Sequence, residues 1–395
     1  MHKDLFGSKI AEALASLPPE WDALRCLTHL RRTFPPELAR EAAQLHSLQE
    51  RCKARIGKDL LPFLRDPGSQ QISAPRIAQQ RAKRISELTP NSHVWDSTCG
   101  LGMESVHLSL AGHQTISTDL CPVTLAYAAA NLRHHALPEW VLQADATGDA
   151  VRTSHVLIDP DRRPKGTRTL DPREWSPSLS TSLEVLQRHA GGVAKLPPSM
   201  DIPPEWDKQH AVHWVSLAGQ LLECTLWTGD WAPEPGRSAI LLGKGGQEFA
   251  YAGTPEEISA CTPDEAKEIR FLADPDPSIV RAGLLGHLAR AQGLKPLAPR
   301  LGYLGGDSPP SSPFLTGFRV RASSALDRKK IRRMLGEHDI GPIQVRQRGH
   351  DEPSEVLERK LRGPGSQRGI LAVARLDRGR WVYLLEPLTG PGDPN

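Results

Sequence analysis

Acidic residues that follow short apolar runs are the residues best able to do chemistry in this chain of 395 residues. Asp96 opens the motif Asp96-Ser97-Thr98-Cys99-Gly100-Leu101-Gly102, and Asp119, Asp145 and Asp159 follow later apolar runs. An ionised carboxylate accepts several hydrogen bonds, so an acid at the end of a strand can hold hydroxyl or amino groups. The two glycines let the backbone turn and approach a ligand without an intervening Cβ. The pattern predicts a nucleoside-binding edge of a sheet.

Two of these acids have a specific predicted role in holding such a ligand. Asp119, about twenty residues after the glycine-containing loop, suits the two ribose hydroxyls. Asp145 suits the adenine amino group, while the backbone at Ala146 meets a ring nitrogen. The candidate cofactor-binding residues are Asp96, Thr98, Cys99, Gly100, Gly102, Asp119, Leu120, Asp145 and Ala146.

Two other interpretations of this pattern remain. An acid at a strand end is often only a helix N-cap, and a glycine pair after a strand is often a structural turn. A dinucleotide would want a third glycine near the helix start and a basic phosphate partner, and the stretch from Asp96 to Ser105 has neither. Cys99 lies inside the loop, where packing near the ligand is a better role than that of nucleophile.

Short apolar strands alternate with helical patterns from Val94 onward, which is typical of βα units around a parallel sheet. Such a sheet brings the strand ends, and hence the acids, to one edge. Strands are expected at His93–Trp95, Gln114–Thr118, Val141–Gln143, Ser154–Ile158, Gly192–Leu196, His210–Ser216, Gln220–Trp227 and Ser238–Leu242. The last two resemble a β-hairpin. Helices are expected at Glu104–Ala111 and Val123–His134.

The flanking segments divide the chain into four expected parts. Residues 1–70 are expected to be helical, with an apolar face of Trp21, Leu24, Leu27 and Leu30 and a second helix over Glu37–Arg55. Residues 71–252 form the α/β domain. Residues 253–317 are expected to be a connector containing one helix, Ser278–Gln292, and residues 318–395 form a small basic α/β domain.

The last part has its own predicted elements. They are a strand near Phe318–Arg321, a helix over Asp327–His338, a strand at Pro342–Arg346, a helix over Pro353–Leu361, a flexible loop at Gly363–Arg368, and strands Ile370–Ala374 and Trp381–Leu385 around a hairpin turn at Asp377-Arg378-Gly379.

The motif Asp96-x-x-Cys99-Gly100-x-Gly102 with Asp119, Asp145 and Asp159-Pro160 resembles class I S-adenosylmethionine-dependent methyltransferases. It is most similar to the branch with a C-terminal THUMP-like domain, which resembles RNA guanine methyltransferases, including the cap-hypermethylating group. Further matching segments are Gln70-Gln71, Ala78, Arg81-Ala82, Ile158 to Arg163, Trp175-Ser176-Pro177, Trp214-Val215-Ser216, Glu223 and Trp227. The resemblance implies a Rossmann-like sheet, a THUMP-like domain and S-adenosyl-L-methionine as cofactor.

The residues after strand four depart from the pattern of amino methyltransferases that act on bases. Those enzymes commonly place Asn or Asp, two prolines and an aromatic there, whereas this chain has Asp159-Pro160-Asp161-Arg162-Arg163. Asp159 and the Pro160 carbonyl could still orient an amine. Arg162 and Arg163 could stack on a base or bind a phosphate, or they could pair with Asp161. These four, Asp159, Pro160, Arg162 and Arg163, are the candidate catalytic residues.

The helix expected at Asp327–His338 places Ile331, Met334 and Leu335 on one face and cations around them. Such a face can bind phosphates or simply be solvated. The candidate RNA-binding residues are Arg319, Arg321, Arg328, Lys329, Lys330, Arg332, Arg333, Arg346 and Arg348. THUMP-like domains are associated with structured RNA, so the resemblance implies a tRNA or rRNA partner.

Composition limits the other possibilities. The net charge of +3 decides little. No apolar stretch approaches the roughly 18 residues of a membrane span, and Met1–Asp4 does not begin a signal peptide, so we expect a cytoplasmic protein without a membrane partner. Six scattered cysteines lack zinc-type spacing, and no metal is expected.

The sequence therefore predicts methylation of a base nitrogen in tRNA or rRNA, with guanine N2 favoured. The alternatives are an inactive RNA-binding protein that kept the cofactor fold, and a methyltransferase for a small molecule or a protein. The oligomeric state is open.

Overall fold

The computed structural model describes residues 8–57, 59–164, 166–299, 301–348, 352–376 and 379–388. Met1–Asp4 and the expected turn residues Asp377 and Arg378 lie outside these ranges. The chain forms two compact units. The first unit comprises residues 1–197, 209–211 and 225–235, and the second comprises residues 198–208, 212–224 and 236–395.

Within the part of residues 1–70 that the structure describes, the regular elements are helices. The helices up to the first strand are α1 (Ser8–Ala15), α2 (Ala23–Leu30), α3 (Pro36–Ile56), α4 (Gly68–Gln71) and α5 (Pro75–Leu88). Asp22 caps α2 by accepting from the Arg25 N–H at 2.8 Å. The predicted face of α2 is partly wrong: Leu24 is 73% exposed, and Cys26 and Leu30, four residues apart, are buried. Three-residue steps drift around a helix of 3.6 residues per turn, which explains the error.

A nine-stranded sheet follows, with strand order β3-β2-β1-β4-β5-β7-β6-β8-β9. Its elements are β1 (His93–Asp96), α6 (Met103–Leu110), β2 (Gln114–Asp119), α7 (Pro122–His134), β3 (Val141–Gln143), β4 (His155–Ile158), α8 (Leu179–Gln187), β5 (Gly191–Leu196), β6 (Ala211–Leu217), β7 (Gln220–Gly229), β8 (Gly236–Leu242) and β9 (Glu248–Gly253). Strands β1 to β5 pair in parallel. This confirms the predicted Rossmann-like α/β fold class.

The predicted hairpin of β7 and β8 is wrong. Strand β6 lies between them in the sheet, and β8 pairs antiparallel with β9 instead. The β8–β9 turn is closed by the Gly243 N–H, which donates to the Gln247 carbonyl at 2.9 Å. Alternation along β7 and β8 identifies each as a strand but carries no information about which strand lies beside it.

A seven-stranded sheet, ordered β11-β12-β10-β13-β16-β15-β14, lies in the second unit. The elements of this part are α9 (Pro263–Glu268), β10 (Phe271–Pro275), α10 (Pro277–Arg281), α11 (Leu285–Ala291), β11 (Lys295–Pro296), β12 (Leu304–Gly306), β13 (Leu315–Ala325), α12 (Arg328–Glu337), β14 (Ile340–Arg348), α13 (Ser354–Leu361), β15 (Gln367–Leu376) and β16 (Gly379–Pro387). Strands β15 and β16 pair antiparallel as the predicted hairpin requires, and β14 pairs in parallel with β15.

Residues 253–317, expected to be a connector, belong to this sheet instead. Strands β10, β11 and β12 all come from the segment, and Leu272 and Phe318 are buried in one hydrophobic cluster. The helix predicted over Ser278–Gln292 is divided into α10 and α11, because Gly283 between them adopts a φ of +74°. Many prolines and acids made the segment resemble a loop, although long-range strand pairing orders it.

The basic helix α12 buries the predicted face, with Ile331, Met334 and Leu335 in one cluster with Leu371. The loop before β15, expected to be flexible, is held against the start of β14. The Gly363 N–H donates to the Gly341 carbonyl at 2.9 Å, and Ser366 Oγ donates to Asp339 Oδ2 at 2.7 Å. Glycine has no Cβ, so it lets the two backbone segments approach closely in this loop.

Three negative findings concern the described residues alone. No helix there combines the length and the apolarity that a bilayer span requires. No group of three or more His, Cys, Asp or Glu side chains in that part of the chain could hold a metal ion. All six cysteines are free thiols, and all but the half-buried Cys121 are buried.

Candidate active site

The parallel register of β1 to β4 brings the predicted acids to one edge of the sheet. Asp96 aligns with Ser117 of β2 and with Leu157 of β4, and Asp119 aligns with Gln143 of β3. The loops after these strands therefore open at the same carboxyl edge, where open parallel sheets generally bind ligands.

The loop after β1 is fixed to both neighbouring strands. The Ser97 N–H donates to the Leu157 carbonyl at 2.9 Å, and the Cys99 N–H donates to the Thr118 carbonyl at 2.8 Å. Thr98 Oγ1 accepts from the Asp159 N–H at 2.7 Å, which joins this loop to the one after β4. Burial raises the pKa of the Cys99 thiol well above its usual value, which argues against a nucleophilic role.

Gly100 and Gly102 both adopt positive φ, at 54° and 89°. A Cβ on Gly100 would meet no atom within 4 Å, so this glycine borders open space that a ligand can enter. A Cβ on Gly102 would lie 3.4 Å from the Ala128 backbone, so this glycine lets the start of α6 approach α7. Gly100 therefore leaves space at the loop surface, whereas Gly102 allows close packing of α6 against α7.

Asp119 closes β2 beside the glycine loop. Its Oδ2 accepts from the Gly100 N–H at 3.2 Å and its Oδ1 from the Cys121 N–H at 2.8 Å. These bonds fix the carboxylate and leave further lone pairs for ribose hydroxyls. Burial raises the pKa of Asp119 above its ordinary value. The next residue, Leu120, is 58% exposed, and such an exposed apolar side chain fits a flat ring.

Asp145 lies after β3 and is exposed, while Ala146 is buried. Its Oδ1 accepts from both the N–H and the hydroxyl of Thr147 at 2.8 Å, and these bonds hold the pKa of Asp145 below its ordinary value. The carboxylate is ionised and oriented, with Oδ2 as the oxygen assigned to a ligand donor.

Asp96 is fully buried. Its Oδ2 accepts from Ser105 Oγ at 2.5 Å, and Ser117 Oγ donates to Ser105 Oγ at 2.8 Å. Among the described residues, Oδ1 has no hydrogen-bond partner. Burial raises the pKa of Asp96 to about 7. An orphaned buried oxygen beneath the glycine loop fits a ligand donor, so the residues at this edge fit a cofactor with an adenosine and an amino group.

The segment after β4 meets two other segments singled out in the sequence. Asp161 and Ser176 exchange backbone hydrogen bonds at 2.8 and 2.9 Å. Gln71 Nε2 donates to Asp161 Oδ1 at 3.2 Å, and the Arg163 N–H donates to the same oxygen at 2.8 Å. The hydrogen bonds of Asp161 therefore fix the conformation of this loop. Arg162 and Arg163 are half-buried.

Lys195 of β5 is the residue that sequence reasoning missed. Its Nζ donates to Asp159 Oδ2 at 2.5 Å, to Ser73 Oγ at 2.5 Å and to Glu104 Oε1 at 3.5 Å. Glu104 also forms an ion pair with the buried Arg81. The available signal was a lone cation in the otherwise apolar run Gly191–Leu196.

Burial by itself raises the pKa of Glu104, but the Arg81 and Lys195 cations outweigh it and lower that pKa to about 2. Glu104 is therefore ionised at every physiological pH. The candidate site thus rests on a buried group of paired charges.

The predicted RNA-binding residues fall into two classes. Arg346 and Arg348 pair with the shared carboxylate of Asp274 at 2.9 and 2.7 Å, which gives them a role in holding the sheet of the second unit together. Arg321 lies 3.4 Å from Glu386. Arg333 of α12 pairs with Glu337 at 2.8 Å and is exposed. The remaining candidates are also exposed; they are Arg319 of β13 and Arg328, Lys329, Lys330 and Arg332 of α12.

Known proteins place this architecture in a family. Residues 315–387 match a family model described as THUMP domain-like. The whole fold resembles a crystal structure described as a "putative methyltransferase" from Porphyromonas gingivalis W83, with a TM-score of 0.76, 18% identity and coverage of 98% of this chain and 99% of that one.

Sequences from two Mycobacterium tuberculosis strains, CDC 1551 and H37Rv, are each 30% identical over 322 residues. The match covers 80% of this chain and 85% of each relative, and both relatives are described as uncharacterized S-adenosylmethionine-dependent methyltransferases. The chain therefore belongs to the S-adenosylmethionine-dependent methyltransferases and carries a C-terminal THUMP-like domain.

Proposed function

We propose that this protein methylates a base nitrogen of tRNA or rRNA, with guanine N2 as the preferred acceptor. The observation that carries the proposal is the carboxyl edge of β1 to β4, where a glycine loop and fixed carboxylates adjoin Asp159-Pro160. The assignment of an RNA base nitrogen as the methyl acceptor rests on Asp159-Pro160 and on the exposed cations of α12.

The loops already described would hold the cofactor. Asp119 would accept hydrogen bonds from the ribose hydroxyls, and Asp145 would accept one from the adenine amino group. Leu120 would pack on the adenine ring, and Gly100 would leave room for the part of the cofactor that carries the methyl group. Bound S-adenosylmethionine supplies a methyl group already activated by its sulfonium charge, so the protein chiefly has to position the acceptor.

Asp159 and Pro160 orient the acceptor amine. Lys195 donates to Oδ2 of Asp159. We therefore assign Oδ1 of Asp159 and the Pro160 carbonyl as the acceptors for the two N–H groups of an exocyclic amine. Accepting both hydrogens turns the nitrogen lone pair toward the methyl donor. Arg162 and Arg163 are assigned to the base face or to a flanking phosphate.

Transfer of labelled methyl groups tests the proposal. Purified protein is incubated with methyl-labelled S-adenosylmethionine and, in separate reactions, with the RNA, protein and metabolite fractions of a strain that lacks the gene, and the labelled products are identified by mass spectrometry. We expect label in tRNA or rRNA as N2-methylguanosine, and its absence with Asp159→Ala. Label in a protein or metabolite fraction would favour a different acceptor, and no label in any fraction would favour the inactive alternative.

Salt-dependent binding tests the basic helix. A variant with Lys329→Ala and Arg332→Ala loses two exposed cations, and we expect weaker RNA binding. The slope of log K against log[salt] should become shallower by roughly 0.7–0.9 for each lost phosphate contact. Lys53→Ala on α3 is the control for loss of an exposed lysine. An unchanged slope in the α12 variant would remove α12 from the RNA-binding surface.

A further inference from the structure

We infer that Lys195 is a positioning residue for methyl transfer, which acts by holding the Asp159 carboxylate in the orientation that receives the acceptor amine. The inference rests on the proposed function, since it takes Asp159 as the group that contacts the acceptor. Lys195 itself touches neither substrate nor cofactor in this assignment.

Strand register puts the two residues side by side. Strands β4 and β5 are parallel, and Ile158 at the end of β4 aligns with Ala194, so Asp159 just after β4 comes beside Lys195 of β5. Both therefore lie at the carboxyl edge where the acceptor must bind. The side chain of Lys195 is only 9% exposed, and that of Asp159 is 33% exposed, so the lysine lies deeper than the carboxylate it holds.

The ammonium group of Lys195 is fully engaged. It has three hydrogens, and Asp159, Ser73 and Glu104 accept them. Binding a ligand directly would require breaking one of these partly buried hydrogen bonds. An indirect role through Asp159 fits this geometry better than direct contact with the cofactor.

The charges around Lys195 explain why its loss should displace the Asp159 carboxylate. Two cations, Lys195 and Arg81, are paired with two carboxylates, Asp159 and Glu104. The buried Asp96 interacts electrostatically with Glu104, Lys195 and Asp159. Lys195 lowers the pKa of both Glu104 and Asp96. Without it, the carboxylates repel one another at low dielectric, and Asp159 loses the bond that fixes its rotamer.

The carboxylates assigned to the ribose and the adenine do not depend on Lys195. The hydrogen bonds that fix Asp119 and Asp145 come from Gly100, Cys121 and Thr147. Lys195 acts on the cofactor site through Asp96, whose pKa it lowers. A defect caused by loss of Lys195 should therefore be much larger in the turnover of RNA than in the affinity for S-adenosylmethionine.

The test compares Lys195→Met, which keeps the length of the side chain, with Lys195→Arg, which keeps the charge. For Lys195→Met we expect kcat to fall about 10²-fold, the cost typical of a misplaced reacting group, with the Kd for S-adenosylmethionine rising less than about tenfold, the effect of a shift of one pKa unit at Asp96. Lys195→Arg should restore part of kcat. Lys53→Met is the control for loss of an exposed lysine.

The pH profile separates positioning from general stability. The titratable groups that face Lys195 are Asp159 on the β4 loop, Asp96 on β1 and Glu104 on α6, with Arg81 on α5 opposite and His107 near Glu104. The acid limb of kcat should move to higher pH in Lys195→Met, because the carboxylates lose a cation. A loss equal at every pH, accompanied by equal losses of cofactor affinity and thermal stability, would show a structural role only.

Two further variants guard against misfolding and against confusion with the proposed function. Ser73→Ala removes one acceptor of Lys195 without changing charge, and we expect kcat to fall severalfold in a folded protein. Wild-type kcat in both Lys195→Met and Ser73→Ala would overturn the inference.

Asp159→Ala separates the two hypotheses, because it removes the oxygen assigned to the amine, which asparagine would keep. If Asp159→Ala is inactive while Lys195→Met is fully active, only the role of Lys195 fails. If Asp159→Ala is fully active, the acceptor assignment fails and the inference fails with it. If both variants lose activity, the double variant should be no less active than the less active of the two single variants, because the two residues act as a unit.

Discussion

Replacing Asp119 gives the sharpest test of the cofactor site. The structure fixes this carboxylate through the N–H groups of Gly100 and Cys121 and leaves lone pairs for the ribose. A hydrogen bond to a charged group contributes about 1.5–3 kcal/mol. Losing two such bonds should cost about 3–6 kcal/mol in Asp119→Ala, which corresponds to binding roughly 10²- to 10⁴-fold weaker.

Asp119→Asn separates charge from geometry. The amide oxygen can still accept from the Cys121 N–H, but neutral hydrogen bonds contribute only about 0.5–1.5 kcal/mol each. We therefore expect an intermediate loss, roughly 10- to 10²-fold. Asp149→Ala, at an acid whose side chain is 88% exposed, is the control and should bind normally.

Isothermal titration calorimetry with S-adenosylmethionine and S-adenosylhomocysteine measures both effects, and thermal unfolding confirms that each variant is folded. Binding by folded Asp119→Ala within threefold of wild type would refute the assignment of Asp119 to the ribose. Equal losses for Asn and Ala would show that the charge alone matters.

Three further predictions concern stability. Gly102→Ala, at a φ of +89°, should cost about 1–2 kcal/mol of unfolding free energy, whereas Gly148→Ala, which has ordinary φ, should not; equal urea midpoints for both would contradict the backbone argument. Asn131 exchanges hydrogen bonds with the backbone of Phe63 and donates to the Leu101 carbonyl. Asn131→Leu should therefore lower the free energy of unfolding by at least about 2 kcal/mol and weaken cofactor binding. Wild-type affinity in calorimetry would show that the glycine loop does not depend on Asn131. Burial raises the folded-state pKa of Asp96 to about 7, so the protonated side chain stabilises the fold at acidic pH and this stability is lost as pH rises toward 7, with the free energy of unfolding falling by at most about 1.4 kcal/mol per pH unit. Asp96→Asn should lack this pH dependence in urea titrations at pH 5 to 8. Identical slopes for the variant and the wild type would show that Asp96 is not the titrating group.

Several parts of the site could be predicted because their signals are local. Short apolar runs ending in acids identify β1 to β4, and the spacing of Gly100 and Gly102 identifies the turn between β1 and α6. The face of α12 that carries Ile331 and Leu335 follows from helical periodicity alone. None of these depends on knowing a distant partner.

Other features depended on pairing between distant segments. Lys195 contacts Asp159 across 36 residues of sequence, and a lone lysine in an apolar strand does not reveal its partner. The position of β6 between β7 and β8 and the recruitment of β10 to β12 into the second sheet are likewise products of strand pairing. Arg346 and Arg348 resembled free cations until the fold placed Asp274 between them.

The sequence by itself determined the order of the acids and glycines that we assign to the cofactor, because local pattern ties each of them to the end of its own strand. Only the tertiary structure decided which charges neutralise one another. Hydrogen bonds and ion pairs act over a few ångströms in space, so the group formed by Arg81, Glu104, Asp159 and Lys195 exists only once the parallel register of β1, β4 and β5 brings their ends together.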